Sequence, residues 1–303
     1  MTNMIRGLVA AAPTPMRAKG GLNLKAVEKL AEMLANNAVN TVFVCGTTGE
    51  FPSLTISERL SVARQWLKVA DPSLRVVVHV GHTCLDAARA MAADAQKNGA
   101  HAIAAVPPYY FKPGDMAGLI AFCAAVASAA PKLPFYYYHI PEFTGVKMPM
   151  VKFLAEAPAK IPSLVGVKFT SEDLTDFGRC VDAHGKKFNL LLGRDDLLLA
   201  GLKVGAHGAV GTTYNFAAQL YVKIIRSFKN GDMGTAQNFQ VQAVEMLAAM
   251  RRFGMIPATK YAMKEIGIDC GPVRLPLHRL SAEQQEQLHA ALERVGLGEF
   301  RNK

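Results

Sequence analysis

Eight short apolar runs rich in β-branched and aromatic residues recur along the chain, centred near Leu8, Val42, Val77, Ala104, Tyr136, Val165, Leu191 and Ala209. Between them apolar positions return every three or four residues, over 24–38, 55–70, 84–98, 114–130, 148–157, 173–183 and 196–204, and again over 216–229 after the eighth run. A period of two fits a strand, and a period near 3.6 fits one face of a helix. The pattern therefore predicts an α/β protein of eight strand–helix units, the count of a (β/α)8 TIM barrel. A doubly wound sheet is the competing layout, but the first run leads into Ala11-Ala12-Pro13-Thr14-Pro15 and not into a dinucleotide-binding glycine fingerprint. Three further helical patterns follow, over 232–253, 257–266 and 281–295, and Ser281 with Gln284 reads as a capping box for the last. These helices are not needed to close a barrel, so they are expected to pack on it or to build an oligomer contact. The expected division is a catalytic barrel over 1–230 and a C-terminal helical extension over 231–303.

Composition narrows the function classes. Half of the 303 residues are hydrophobic, enough to bury a barrel-sized core. No run of 18 uncharged apolar residues occurs, so no membrane span is expected. Residues 1–6 lack a charged segment leading into an apolar one, so no signal peptide is expected either. The five cysteines are scattered and form no CxxC pair, which supports neither a disulfide framework nor a thiolate zinc site and fits a reducing cytoplasm. The net charge of +10 is spread thinly, with Lys186-Lys187 and Arg251-Arg252 its densest pairs. No basic run is interleaved with aromatics, so nucleic acid is not an expected partner, and the charge suits steering of small anions or solubility.

In a barrel the chemistry gathers on the loops after the strands' C-terminal ends. Leu164-Val165-Gly166-Val167-Lys168-Phe169-Thr170 reads as a strand with a lysine at that end. Alternation puts Val165 and Val167 on one face and Leu164, Gly166 and Lys168 on the other. A lysine desolvated there has a lowered pKa, and a neutral amine can attack a carbonyl to form a Schiff base. The alternative is a strand-end lysine whose stem packs and whose head reaches water. On the preceding strand, Tyr136 and Tyr138 share a face, so Tyr138 and Lys168 are expected to share one pocket, where a phenol could shuttle protons. After strand 2, Gly46-Thr47-Thr48-Gly49-Glu50 offers exposed N–H groups and two hydroxyls, a set suited to a carboxylate, although a simple Gly-Thr turn would look the same. Tyr109-Tyr110-Phe111 after strand 4 could line a site or fill an interface. At the strand 7–8 corner Asp195 and Asp196 would repel a phosphate and accept hydrogen bonds from a polyol. His79 and His82 point to opposite faces of an extended segment, which argues against a metal site.

With these residues assembled, the chain resembles the pyruvate-dependent class I aldolase superfamily, whose branches include N-acetylneuraminate lyase and dihydrodipicolinate synthase. The likeness runs through Gly46–Glu50 written as GTTGE, Tyr138, Gly166-Val167-Lys168 and the segment 208–215. It implies that Lys168 is the Schiff-base lysine, Tyr138 the catalytic tyrosine, and Thr47 and Thr48 the pair that holds the pyruvyl carboxylate. It implies too that Tyr110 completes a neighbouring subunit's site in a homotetramer. Tyr138-His139-Ile140-Pro141-Glu142-Phe143-Thr144-Gly145 and Gly211-Thr212-Thr213-Tyr214-Asn215 are most similar to the lyase branch, and Phe143 stands where the synthase branch carries an arginine. In the lyase branch Thr170, Gly193, Asp195, Asp196 and Thr212 would line the pocket for the sugar tail. Asp196 departs from a common Glu and Thr212 from Ser, both with retained chemical type. The implied reaction is reversible cleavage of N-acetylneuraminate, an open-chain 2-keto sugar acid, to pyruvate and N-acetylmannosamine, with no cofactor and no metal. A pyruvate-forming aldolase or dehydratase for another keto-sugar acid, or a condensing enzyme like the synthase, is the implied alternative.

Overall fold

In the computed structural model, which describes residues 4–303, all eight apolar runs form parallel strands. They are β1 (Gly7–Ala11), β2 (Val39–Val44), β3 (Arg75–His79), β4 (Ala102–Ala105), β5 (Phe135–His139), β6 (Leu164–Phe169), β7 (Asn189–Leu192) and β8 (Gly208–Gly211). Each pairs with the next and β8 returns to β1, so the sheet closes as a barrel without edges. Residues 1–3, the start of the stretch read for a signal peptide, lie outside the described residues.

Period-two alternation sorts the strand residues into two buried layers. Val9, Phe43, Val77, Ala104, Tyr136, Tyr138, Leu191 and Val210 fill the barrel interior. Their neighbours Leu8, Val42, Val44, Val76, Val78, Tyr137, Val167 and Leu192 face outward against the helices. At the N-terminal end of the barrel, Asn189 accepts the Ile5 N–H and the Tyr136 hydroxyl and donates to the Ile5 carbonyl, so a buried amide plugs the floor with its hydrogen bonds satisfied. One expectation fails in β6. Leu164 packs in the outer layer with Val167 and Phe169, not on the face of Lys168. The pairing of β5 with β6 shifts register between Phe135 and Tyr136, from Leu164 to Gly166, and that extra residue flips the alternation.

Helices Ala26–Asn36, Ile56–Val69, Leu85–Lys97, Met116–Ala127, Met150–Glu156, Leu174–His184, Leu198–Lys203 and Tyr214–Lys229 surround the barrel. Capping trims several of them inside the periodic pattern: Asp115 accepts the Gly118 N–H and Asp173 the Asp176 N–H. The lone tryptophan, Trp66, is fully buried under the second helix. The eighth helix starts two residues before the periodic segment and is broken at Ala217. Asn302 fills the gap: its side chain accepts the Ala218 N–H and donates to the Tyr214 carbonyl. Helices Met233–Arg251, Met255–Glu265 and Ala282–Arg294 follow, the last with the capping box of Ser281 and Gln284 in place. Single turns such as Pro141–Thr144, Asp195–Leu197 and Leu297–Phe300 are too short for periodicity to signal.

Candidate active site

A cavity of about 990 Å³ opens over the C-terminal ends of the strands. Its floor carries Lys168, whose side chain stands beside Tyr138 because β5 and β6 pair those two residues directly. The residue is 4 % exposed, and its Nζ lies 4.0 Å from the centre of the Phe43 ring and 3.9 Å from that of Tyr138. Burial pushes its pKa down from 10.5 to about 7, against the opposing field of Asp195. An ordinary lysine is neutral in only about one part in a thousand near pH 7.4, whereas this one titrates close to neutrality and offers a far larger share of free amine. The low-pKa amine therefore rests on an apolar, aromatic cradle.

Tyr138 is buried, and burial raises its phenol to about 12 while the hydroxyls of Thr47 and Thr170 pull the other way. It stays protonated at neutral pH and can give or relay a proton. Its hydroxyl is 3.2 Å from Thr47 Oγ1, and Thr48 Oγ1 is 2.8 Å from Thr212 Oγ1. The turn after β2 thus reaches across the barrel to the ends of β5 and β8. Cys45 and Glu50, which flank it, both have φ of +57°, a left-handed conformation costing a non-glycine residue about 1–2 kcal/mol. Thr170 Oγ1 is buried without a hydrogen bond of normal geometry, so it can turn to a ligand. Gly193 is obligatory opposite it, because a Cβ there would overlap the Thr170 hydroxyl.

The β7–β8 corner differs from the expectation of a bare acidic pair. Asp195 is buried and accepts the N–H and hydroxyl of Thr213 on one oxygen, at 2.9 and 2.5 Å. Burial raises its pKa, and the Thr213 bonds oppose the rise. Asp196 turns to two cations: Arg194 donates to both its oxygens at 2.9 and 2.8 Å, and Arg251 adds a bond at 2.6 Å. Burial alone would raise the Asp196 pKa, but the two guanidinium groups outweigh it and bring the carboxyl down to about 2. Arg194, Arg251 and Asp195 line the cavity. Two positive charges therefore offset the carboxylates that sequence placed there alone.

Lys168, Tyr138, Thr47, Thr48, Thr170, Gly193, Asp195 and Thr212 all line this one cavity. Asp196 stands behind Arg194, and Tyr110 is outside, 79 % exposed and stacked edge-on against Phe111. From the same loop Tyr109 lines the cavity and packs on Phe51. His79 and His82 do not converge: His79 Nδ1–H donates to the Cys45 carbonyl at 2.8 Å, while His82 Nδ1 accepts the Cys84 N–H. Among the described residues no group of three His, Cys, Asp or Glu side chains could hold a metal. Sequence reasoning missed Phe43, whose inward alternation was a usable signal, and Arg251, Phe253 and His278 of the later segment, for which no local signal exists.

The model of the dihydrodipicolinate synthetase family matches residues 4–295. An N-acetylneuraminate lyase of Rattus norvegicus is 40 % identical over 301 residues, covering 98 % of this chain and 94 % of that protein. The solved N-acetylneuraminate lyase of Proteus mirabilis superposes with a TM-score of 0.95 at 34 % identity, over 97 % of this chain and 100 % of that one. A dihydrodipicolinate synthase from Cyanidioschyzon merolae superposes with a TM-score of 0.90 at 29 % identity, covering 96 % of this chain and 98 % of that one.

Proposed function

The chain belongs to the dihydrodipicolinate synthetase family, and on that premise we propose that it is a carbon–carbon lyase that cleaves N-acetylneuraminate reversibly to pyruvate and N-acetylmannosamine. The observation that carries the reading is the buried amine of Lys168, desolvated beside Tyr138 in the cavity that the Thr47 and Thr48 hydroxyls also line. In this reaction the Lys168 lone pair adds to the C2 ketone of the open-chain sugar acid, and loss of water leaves an iminium. The C4 hydroxyl passes its proton through the Tyr138 hydroxyl to the bound substrate carboxylate, the C3–C4 bond breaks, and its electron pair moves to the iminium to leave an enamine. N-acetylmannosamine departs as the aldehyde. Protonation of the enamine at C3 and hydrolysis release pyruvate and restore the amine. Lys168 thus supplies the electron sink and no cofactor or metal is needed.

In this reading Thr47 and Thr48 hold the carboxylate. Thr170, Gly193, Asp195 and Thr212 meet the sugar tail, with Asp196 acting through Arg194, which it holds at the cavity wall. Phe143 at the rim offers no charge to a second substrate carboxylate, which favours the lyase over a condensing synthase. We propose also that 231–303 is an extension of the same catalytic unit as the barrel over 1–230, since Phe253, Met255 and His278 wall the cavity. The exposed Tyr110 and Phe111, at 79 % and 84 %, support a homotetramer in which Tyr110 reaches a neighbour's site. Five free thiols, one of them exposed at Cys84, support a reducing, cytoplasmic setting.

Treatment with pyruvate and borohydride tests the chemistry. Irreversible inactivation with a pyruvate-derived mass on Lys168 is expected, together with pyruvate release from N-acetylneuraminate above that from other keto-sugar acids. Modification of a different lysine, or full activity of Lys168→Ala, would overturn the Schiff-base assignment.

A further inference from the structure

Two buried charges that take no part in the bond-breaking chemistry meet at the far end of the loop after β2. The Glu50 side chain is 0 % exposed and that of Lys260, from helix Met255–Glu265, is 3 % exposed, with Nζ 2.6 Å from Glu50 Oε1. The other oxygen of Glu50 accepts the backbone N–H of Arg274 at 2.9 Å, across 224 residues of sequence. Lys260 is itself fixed by a bond to the Pro272 carbonyl at 2.8 Å. The Arg274 guanidinium continues the grip, donating to Glu58 and to the carbonyls of Gly20 and Ser53. One short segment of the C-terminal extension therefore holds both oxygens of a single carboxylate.

A buried ion pair is a weak stability device, since an apolar pair of the same shape often does as well, and in some proteins its role is to fix geometry instead. Geometry is what this loop needs. Glu50 sits in the left-handed region, and so does Cys45 at the opposite end, where the His79 ring bonds its carbonyl at 2.8 Å. Between the two anchors, Thr47 and Thr48 point their hydroxyls at Tyr138 and Thr212. Successive N–H groups in such a turn form an anion cradle only while its ends keep this twist. Without Lys260 the Glu50 carboxylate keeps only the Arg274 N–H, and the left-handed turn loses its charged anchor at this end.

We propose that Lys260 is a positioning residue for substrate capture: through Glu50 it holds the loop of residues 46–50 in the conformation that receives the substrate carboxylate. The proposal rests on the reading of that loop as the carboxylate site. It makes the C-terminal segment part of the capture step, although its amine never meets the substrate.

The test is the ratio of borohydride trapping with pyruvate to trapping with pyruvamide, a neutral analogue that keeps the ketone, measured on full-length enzyme well below its melting temperature. Lys260→Met is expected to lower that ratio by about 10- to 150-fold, the worth of a charge-assisted hydrogen bond, and Lys260→Arg to restore most of it. General damage to the site would weaken both ketones alike and leave the ratio in place, and that result overturns the proposal. Should Lys260→Met fail to fold, the double variant Glu50→Gln with Lys260→Met removes both buried charges and must show the same selective loss. An unchanged ratio in the folded double variant overturns the proposal. Wild-type enzyme that traps no pyruvate at Lys168 overturns the aldolase reading and this inference together, whereas wild-type trapping with variant ratios unchanged overturns this inference alone.

Discussion

Replacing Lys168 with methionine should remove Schiff-base formation and at the same time make the fold more stable, by an amount that depends on pH. The unfolded lysine titrates near 10.5 and the folded one near 7. Below pH 7 both states carry the proton, and the wild-type fold bears the whole cost of burying an ammonium, about 5 kcal/mol. Between pH 7 and 10.5 the unfolded chain binds one more proton than the folded chain, so wild-type stability rises with pH over that window. The cost shrinks by about 1.4 kcal/mol per pH unit, or about 3 kcal/mol by pH 9. Methionine fills a similar volume and has no charge to desolvate. The melting-temperature advantage of Lys168→Met over wild type should therefore be largest at pH 6 and smaller by about 4–5 °C at pH 9, given the unfolding entropy of a 303-residue chain. Thermal scans of both proteins at each pH, at one protein concentration, measure it, and contributions from titrating groups that do not interact with Lys168, as Asp195 does, cancel in the difference. A difference that stays constant from pH 6 to 9 would refute the depressed pKa and the reasoning built on it.

Tyr138→Phe keeps the ring against Lys168 and His79 but removes the hydroxyl, so turnover of N-acetylneuraminate should fall by about 10²–10⁴-fold while borohydride trapping of pyruvate is largely kept. A loss in turnover below about tenfold would reduce the tyrosine to a wall of the pocket. Asp196→Ala releases Arg194 and Arg251, and KM for N-acetylneuraminate should rise by about 10-fold or more with KM for tail-less keto acids unmoved. Equal effects on long and short substrates would show that this corner does not read the tail.

Much of the molecule was legible because the signals are local. Strand and helix periods are properties of a few neighbouring residues, and eight alternating units leave few topologies open. The same locality placed Lys168 and Tyr138 on one face of adjacent strands, and it offered GTTGE as a turn rich in donors. Once the strands are consecutive in a closed barrel, residues at their C-terminal ends must converge, so most of the candidate site followed from order along the chain. Where the local pattern misled, as at Leu164, a single bulged residue had reversed which side faces the interior.

What the tertiary structure alone decided is the charge environment of those residues. The sequence shows Asp195-Asp196 as a repeated carboxylate; only folding brings Arg251, 55 residues away, onto Asp196 and leaves Asp195 to Thr213. It shows Tyr109-Tyr110 as equals; the loop's path puts one in the cavity and the other in solvent. It shows Glu50 as the end of a motif and Lys260 as one more helical lysine, and nothing local joins them across 210 positions into a buried pair. The reason is physical: periodicity reports which face of an element is buried, whereas the partner of a buried charge is set by how distant elements pack, and partner and burial together fix its pKa.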